Sequence, residues 1–189
     1  MAYVAAAAVL LGLLVVTNLI LTVGVVRRLR EHTAELAALR GGGSGGLDVD
    51  VAMPAGTPVG GFDATSVADL PVSLATLGER PLVGFFSPNC QPCKEKLPSF
   101  VEYAATRPQG RDAVLAVTIG TREETAALAE LLGPVATVVV ESDQGPVQRA
   151  FGVSGFPAFV LVEEGVVSAS GFDLAPVVDR DAVALPAAG

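Results

Sequence analysis

The only two cysteines of the chain stand three positions apart, Cys90 and Cys93, on the seam between an apolar run and a helix-forming one. Pro81 to Phe86 (PLVGFF) reads as a buried strand, Ser87 to Asn89 as a turn, and Cys90 to Thr106 as a helix with Pro92 in its first turn. A bridge across so short a separation closes too small a loop to add much stability, so the pair is expected to serve chemistry rather than the fold. The first turn of a helix leaves its backbone N–H groups unpaired and carries the positive end of the dipole, both of which favour a thiolate. Cys90 is therefore the candidate nucleophile. Cys93, one turn deeper, can reach the sulfur of Cys90 while being shielded from solvent, which suits a thiol that resolves a mixed disulfide. The bland reading, two incidental apolar cysteines, leaves their position at a helix start unexplained.

The one histidine, His32, is far from both cysteines in sequence, and a tetrahedral zinc site needs about four ligands, so neither a metal nor another cofactor is expected.

Elsewhere the chain divides sharply. Met1 to Val26 carries no charged side chain, and Val4 to Val26 is broken only by Gly12, Thr17, Asn18, Thr22 and Gly24. At about 1.5 Å per residue this run reaches on the order of 35 Å, enough for a transmembrane anchor over residues 1–26. A cleaved signal peptide fits less well, because the run lacks a basic start and no A-x-A site follows it. Residues 27–46 are expected to continue as a juxtamembrane helix and then as a Gly/Ser tether, GGGSGG at Gly41 to Gly46. Residues 47–180 form the expected globular domain, and 181–189 a disordered tail, since Val178 to Gly189 is low in complexity.

Within the domain, an extended stretch from Leu47 to Phe62 and a short segment near Val72 precede the Pro81 strand. Strands are then expected at Ala113 to Ile119, Ala136 to Glu141, Ala158 to Glu163 and Val166 to Ser170. Helices are expected at Glu123 to Leu132 and Gly145 to Phe151. Strands separated by helices of ten residues or more imply parallel crossovers, and the last two, joined by Glu164 and Gly165, an antiparallel hairpin. The fold class is α/β, a mixed central sheet flanked by helices.

Of the 12 basic and 20 acidic residues, Arg27, Arg28, Arg30, Arg40, Glu31 and Glu35 precede Gly46, which leaves 8 basic against 18 acidic in the rest of the chain. A domain of formal charge −10 repels phosphate backbones, so nucleic acid is excluded as a partner.

Three pieces of sequence together resemble the thioredoxin family. LVGFFSPNCQPCK, Leu82 to Lys94, is similar to that family's strand, loop and active-site helix; Pro98 sits where its members interrupt this helix; and Gly155-Phe156-Pro157-Ala158 resembles its cis-proline loop. The 67 positions from Cys90 to Pro157 exceed the gap of a minimal thioredoxin, and the excess at Glu123 to Glu141 is similar to the helix–strand insertion of the membrane-anchored TlpA, ResA and MauD-like subgroup. The resemblance implies a thioredoxin fold and thiol-disulfide exchange with protein thiols and disulfides. It implies Cys90, Cys93 and Pro157 as catalytic residues, with Gly155, Phe156, Gln91, Pro92 and Asn89 beside the substrate. It also implies a membrane or soluble thiol electron donor.

Two positions depart from the family's pattern. Gly84 stands where many members keep a buried acid, leaving water or a nearby acid such as Glu95 to carry protons, and Asn89 replaces an aromatic residue. A peroxiredoxin-type peroxidase is the alternative enzyme; Ser87 fits its pattern, but Val83 stands where its proline would. A non-catalytic assembly factor using the Gly155 to Ala158 groove is the alternative from another class. The resemblance implies that the domain faces outward from the cell membrane, whereas Arg27, Arg28 and Arg30, by the positive-inside rule, place it in the cytoplasm. We adopt the extracytoplasmic side, with the cytoplasmic side as the alternative.

Overall fold

The computed structural model describes residues 51–184. The expected anchor, juxtamembrane helix and tether of residues 1–46 lie outside them, as does 185–189. Among the described residues no helix is long and apolar enough to cross a membrane.

Five strands make the main sheet: β3 (Leu82–Phe86), β4 (Val114–Ile119), β5 (Thr137–Glu141), β6 (Ala158–Glu163) and β7 (Val166–Gly171), in the order β5-β4-β3-β6-β7. A two-stranded hairpin, β1 (Ala64–Thr65) with β2 (Pro71–Val72), precedes it. As the sequence predicts, β3 pairs in parallel with β4 and β4 with β5, and β6 runs antiparallel to β7; β6 is also antiparallel to β3, a pairing the sequence does not announce. β3 and β4 are buried along their whole length, which is why LVGFF and VLAVTI read as continuous apolar runs rather than alternating ones.

Helices α1 (Gln91–Thr106), α2 (Ala126–Leu132) and α4 (Ala175–Ala184) and the short α3 (Pro146–Ala150) complete the fold. One apolar layer joins Leu82, Phe86 and Phe159 of the sheet to Cys93, Leu97, Phe100 and Ala104 of α1, Leu132 of α2 and Val177 of α4. The α1 residues recur at helical spacing and so share one face. The opposite layer packs Val83, Phe85, Val117 and Val160 against Val147, Ala150 and Phe151 around α3, and against Val51, Ala52 and Phe62 of the lead-in segment.

That lead-in segment also covers both borders of the sheet. Gly56 N donates to Val167 O of β7 at 2.8 Å and Val59 N to Gly165 O, in the turn just before that strand, at 2.9 Å, while on the far side Val67 N donates to Val138 O of β5 at 2.9 Å.

The C-terminal stretch differs from the expected frayed tail. Residues 175–184 form α4, and the Asp181 carboxylate is fully buried. It accepts from Arg107 Nε at 2.9 Å and Tyr103 Oη at 2.7 Å, and pairs with Arg80 Nη2 at 3.1 Å. Arg107 in turn donates to the carbonyls of Ala113 and Arg80. A buried charge is tolerable only when paired and hydrogen-bonded, and here the pairing stitches α4 to the end of α1. Low complexity concealed a helix whose partners lie more than 70 positions earlier.

Candidate active site

β3 ends at Phe86, a turn follows, and Cys90 caps α1 with extended backbone (φ −91°, ψ 112°). Cys93 N donates to Cys90 Sγ at 3.1 Å, so the first sulfur occupies the place that a capping oxygen takes at other helices. An amide donor and the helix dipole together stabilise negative charge on that sulfur. Pro92, in the first turn, lacks an N–H that would have had no partner there. Pro98, further along, leaves Lys94 O without its helical donor. Cys90 and Cys93 are joined as a disulfide with Cα atoms 5.2 Å apart. Cys90 is half-buried, whereas Cys93 is 1% exposed beneath it.

The loop between α3 and β6 meets this sulfur from the other side. The Phe156–Pro157 peptide bond is cis, as the G-F-P-A context predicts, and Phe156 O lies 3.4 Å from Cys90 Sγ. A reduced Cys90 thiol would donate to that carbonyl. The structure thus brings together Cys90, Cys93, Phe156 and Pro157, with Phe156 packed against both apolar layers. Gly155 and Pro92 are half-buried beside them, and Gln91 and Asn89 are exposed. Gln91 Nε2 donates to Glu95 Oε1 at 3.1 Å, and this carboxylate is exposed on α1 rather than directed at the buried sulfur.

Gly84 has a steric cause. A Cβ added there would lie 2.8 Å from ring atoms of both Phe100 and Phe86, and the Phe86, Phe100 and Phe159 rings contact one another with centroids 5.1 to 5.9 Å apart. Aromatic rings fill the space that a buried acid would need, so no side chain at this position can carry a proton to Cys93.

Sequence reasoning missed two supports of the loop. Glu141, at the end of β5, accepts from Val147 N at 3.0 Å and Gln148 N at 2.8 Å at the start of α3. Burial raises its carboxyl above the usual value, opposed by those two amides and by Arg149. Gln148 passes the support on, donating from Nε2 to Val153 O at 3.2 Å. The second support is the lead-in segment: Ser154 N donates to Val51 O at 2.8 Å and Met53 N to Phe151 O at 3.0 Å. A glutamate ending a strand and an apolar pair after a glycine tether carry no local sign of either role. Among the described residues no group of three or more His, Cys, Asp or Glu side chains is arranged to hold a metal.

No family model matches the chain, and no curated protein matches it. Solved structures do. A thio-disulfide isomerase from Thermus thermophilus is 22% identical with a TM-score of 0.56, over 69% of this chain and 96% of that one. A secreted Mycobacterium tuberculosis disulfide oxidoreductase, described as homologous to E. coli DsbE, is 21% identical with a TM-score of 0.54, over 65% and 95%. The thioredoxin domain of a Bacteroides vulgatus thiol-disulfide oxidoreductase is 22% identical with a TM-score of 0.55, over 68% and 98%. The chain has the thioredoxin fold.

Proposed function

We propose that this thioredoxin-fold domain is a thiol-disulfide oxidoreductase acting on protein thiols and disulfides. The observation that carries the reading is the sulfur of Cys90, bonded to Cys93 and flanked by an α1 amide on one side and the Phe156 carbonyl on the other. That the neighbours are described as oxidoreductases of this kind supports it.

In the reducing direction, the Cys90 thiolate attacks one sulfur of a substrate disulfide. The substrate S–S bond breaks, a mixed disulfide to Cys90 forms, and the displaced sulfur leaves as a thiolate that takes up a proton. Cys93, deprotonated to solvent, attacks Cys90 Sγ and releases the second substrate sulfur. Two electrons have passed to the substrate, and the chain is left with its Cys90–Cys93 bridge. A dithiol donor, membrane-bound or soluble, restores the reduced pair. Run backwards, the same steps oxidise a substrate dithiol.

The test is reduction of insulin by the full chain with dithiothreitol as donor. Turnover in the wild type and none in Cys90→Ser is expected; equal rates with and without the chain would refute the reading. The peroxidase alternative gains nothing from the geometry, since Val83 lies within β3, paired to Leu115 and Val160, where a proline would break the ladder.

To the same reading belong a single-pass anchor at residues 1–26, supported by the uncharged N-terminal run, and a domain outside the cell membrane, which rests on the resemblance to the membrane-anchored subgroup and runs against the charge rule at Arg27, Arg28 and Arg30. An impermeant maleimide applied to intact, reduced cells is expected to label Cys90. Labelling only after lysis would put the domain on the cytoplasmic side.

A further inference from the structure

We infer that Val51 is a positioning residue of the redox site: it holds Ser154 and Gly155, and through them Phe156 and Pro157, against Cys90. The inference rests on the exchange activity proposed above and adds a part of the chain 39 positions before the first cysteine.

The loop from Gly152 to Pro157 is gripped from two directions. On the α3 side, Gln148 O accepts from Val153 N at 3.0 Å, and Gln148 Nε2 donates to Val153 O. On the other side the grip belongs to the lead-in segment. Val51 O accepts from Ser154 N at 2.8 Å, and Val51 Cγ1 lies 3.3 Å from where a Cβ on Gly155 would sit. Met53 meets the start of the loop, its N donating to Phe151 O and its Cγ lying 2.8 Å from the Cβ position of Gly152, whose φ of +58° itself favours glycine. Both braces are anchored in turn: Val51 is 3% exposed within the core, and Met53 O accepts from Ser170 Oγ at 2.7 Å on β7.

This arrangement explains the two glycines together. Each gives up its side-chain volume to a residue of the lead-in segment, so the segment and the loop interlock. Gly155 is followed directly by Phe156, whose carbonyl faces the reactive sulfur, so a displacement at Gly155 reaches the atom 3.4 Å from Cys90 without passing through the core. A polypeptide substrate that must lie across Phe156 senses that displacement; a small disulfide that needs only the Cys90 sulfur senses it less.

The experiment is a double-mutant cycle in the full chain, Val51→Ala and Gly155→Ala, read as KM and kcat with oxidised insulin and in parallel with a small aromatic disulfide. Gly155→Ala, whose new methyl meets Val51, is expected to raise KM for insulin about tenfold, with the effect on the small disulfide the smaller of the two. Adding Val51→Ala, which vacates that space, is expected to bring KM back to within about threefold of wild type. A purely structural role would instead lower both substrates' rates in proportion to folded fraction. If the two alanine substitutions add without coupling in a wild type that does turn over insulin, this inference falls while the exchange reading stands. If the wild type reduces neither disulfide, the exchange reading falls and takes this inference with it.

Discussion

The carbonyl oxygen of Phe156 lies 3.4 Å from Cys90 Sγ, although 66 positions separate the two residues. Under the proposed exchange activity, a substrate held along the Phe156 backbone has its own sulfur delivered to Cys90 rather than to Cys93, which is buried behind it. Cys93→Ser is expected to accumulate a covalent partner on Cys90, visible as a band on non-reducing gels that disappears with dithiothreitol. Cys90→Ser should accumulate none, and equal trapping by both variants would contradict this division of labour.

Asp181 pairs with the buried Arg107 and with the partly buried Arg80, which also meets Glu163 at 2.8 Å. Asp181→Ala leaves Arg107, whose side chain is 1% exposed, without its counter-charge, and is expected to cost about 3–5 kcal/mol in urea denaturation. A second readout is the phenol of Tyr103, pushed up to about 12 chiefly by burial and next by its hydrogen bond to Asp181. In the variant it should ionise at lower pH, followed by absorbance near 295 nm. A variant of unchanged stability would show that the network is ornamental.

Gly84 should resist substitution, by an acid as by an alkyl side chain. Gly84→Ala is expected to cost about 1–3 kcal/mol, because the methyl must displace the Phe100 and Phe86 rings. Phe100→Leu in the same chain should return part of that loss. Full tolerance of Gly84→Ala would mean that the rings give way freely.

Glu141 makes stability depend on pH. Its folded-state affinity for a proton is raised from the ordinary value of 4.5, so the folded chain holds the proton more tightly than the unfolded chain does. Its contribution is then greatest below that value and diminishes as pH rises through the shifted titration. In oxidised protein, Glu141→Gln is expected to flatten the dependence of the denaturation midpoint on pH above 4.5 relative to wild type. An unchanged slope would show that Glu141 ionises without cost.

Local signals sufficed for much of this. PLVGFF ahead of a cysteine-capped helix fixed the site's first half, and Gly155 to Ala158 announced the second, because both depend on neighbours within a few positions. What escaped detection depends on distant ones. The apolar spacing Leu174, Val177, Val178 is too brief to reveal α4, whose decisive residue is an aspartate that becomes buried only when Arg107 and Tyr103 come to meet it. The reason for Gly84 lies in Phe100, on another element, and that for Gly155 in Val51. A bare glycine in the sequence does not say who occupies the space it vacates.

The coverage of both sheet borders by residues before β3 bears on how the domain emerges from a ribosome. Each border strand finds its guard already synthesised when it appears, so neither β5 nor β7 need wait exposed while downstream chain is made. Unpaired strand edges are templates for intermolecular stacking. Here the order of translation itself shortens the interval in which crowded nascent copies could seed one another.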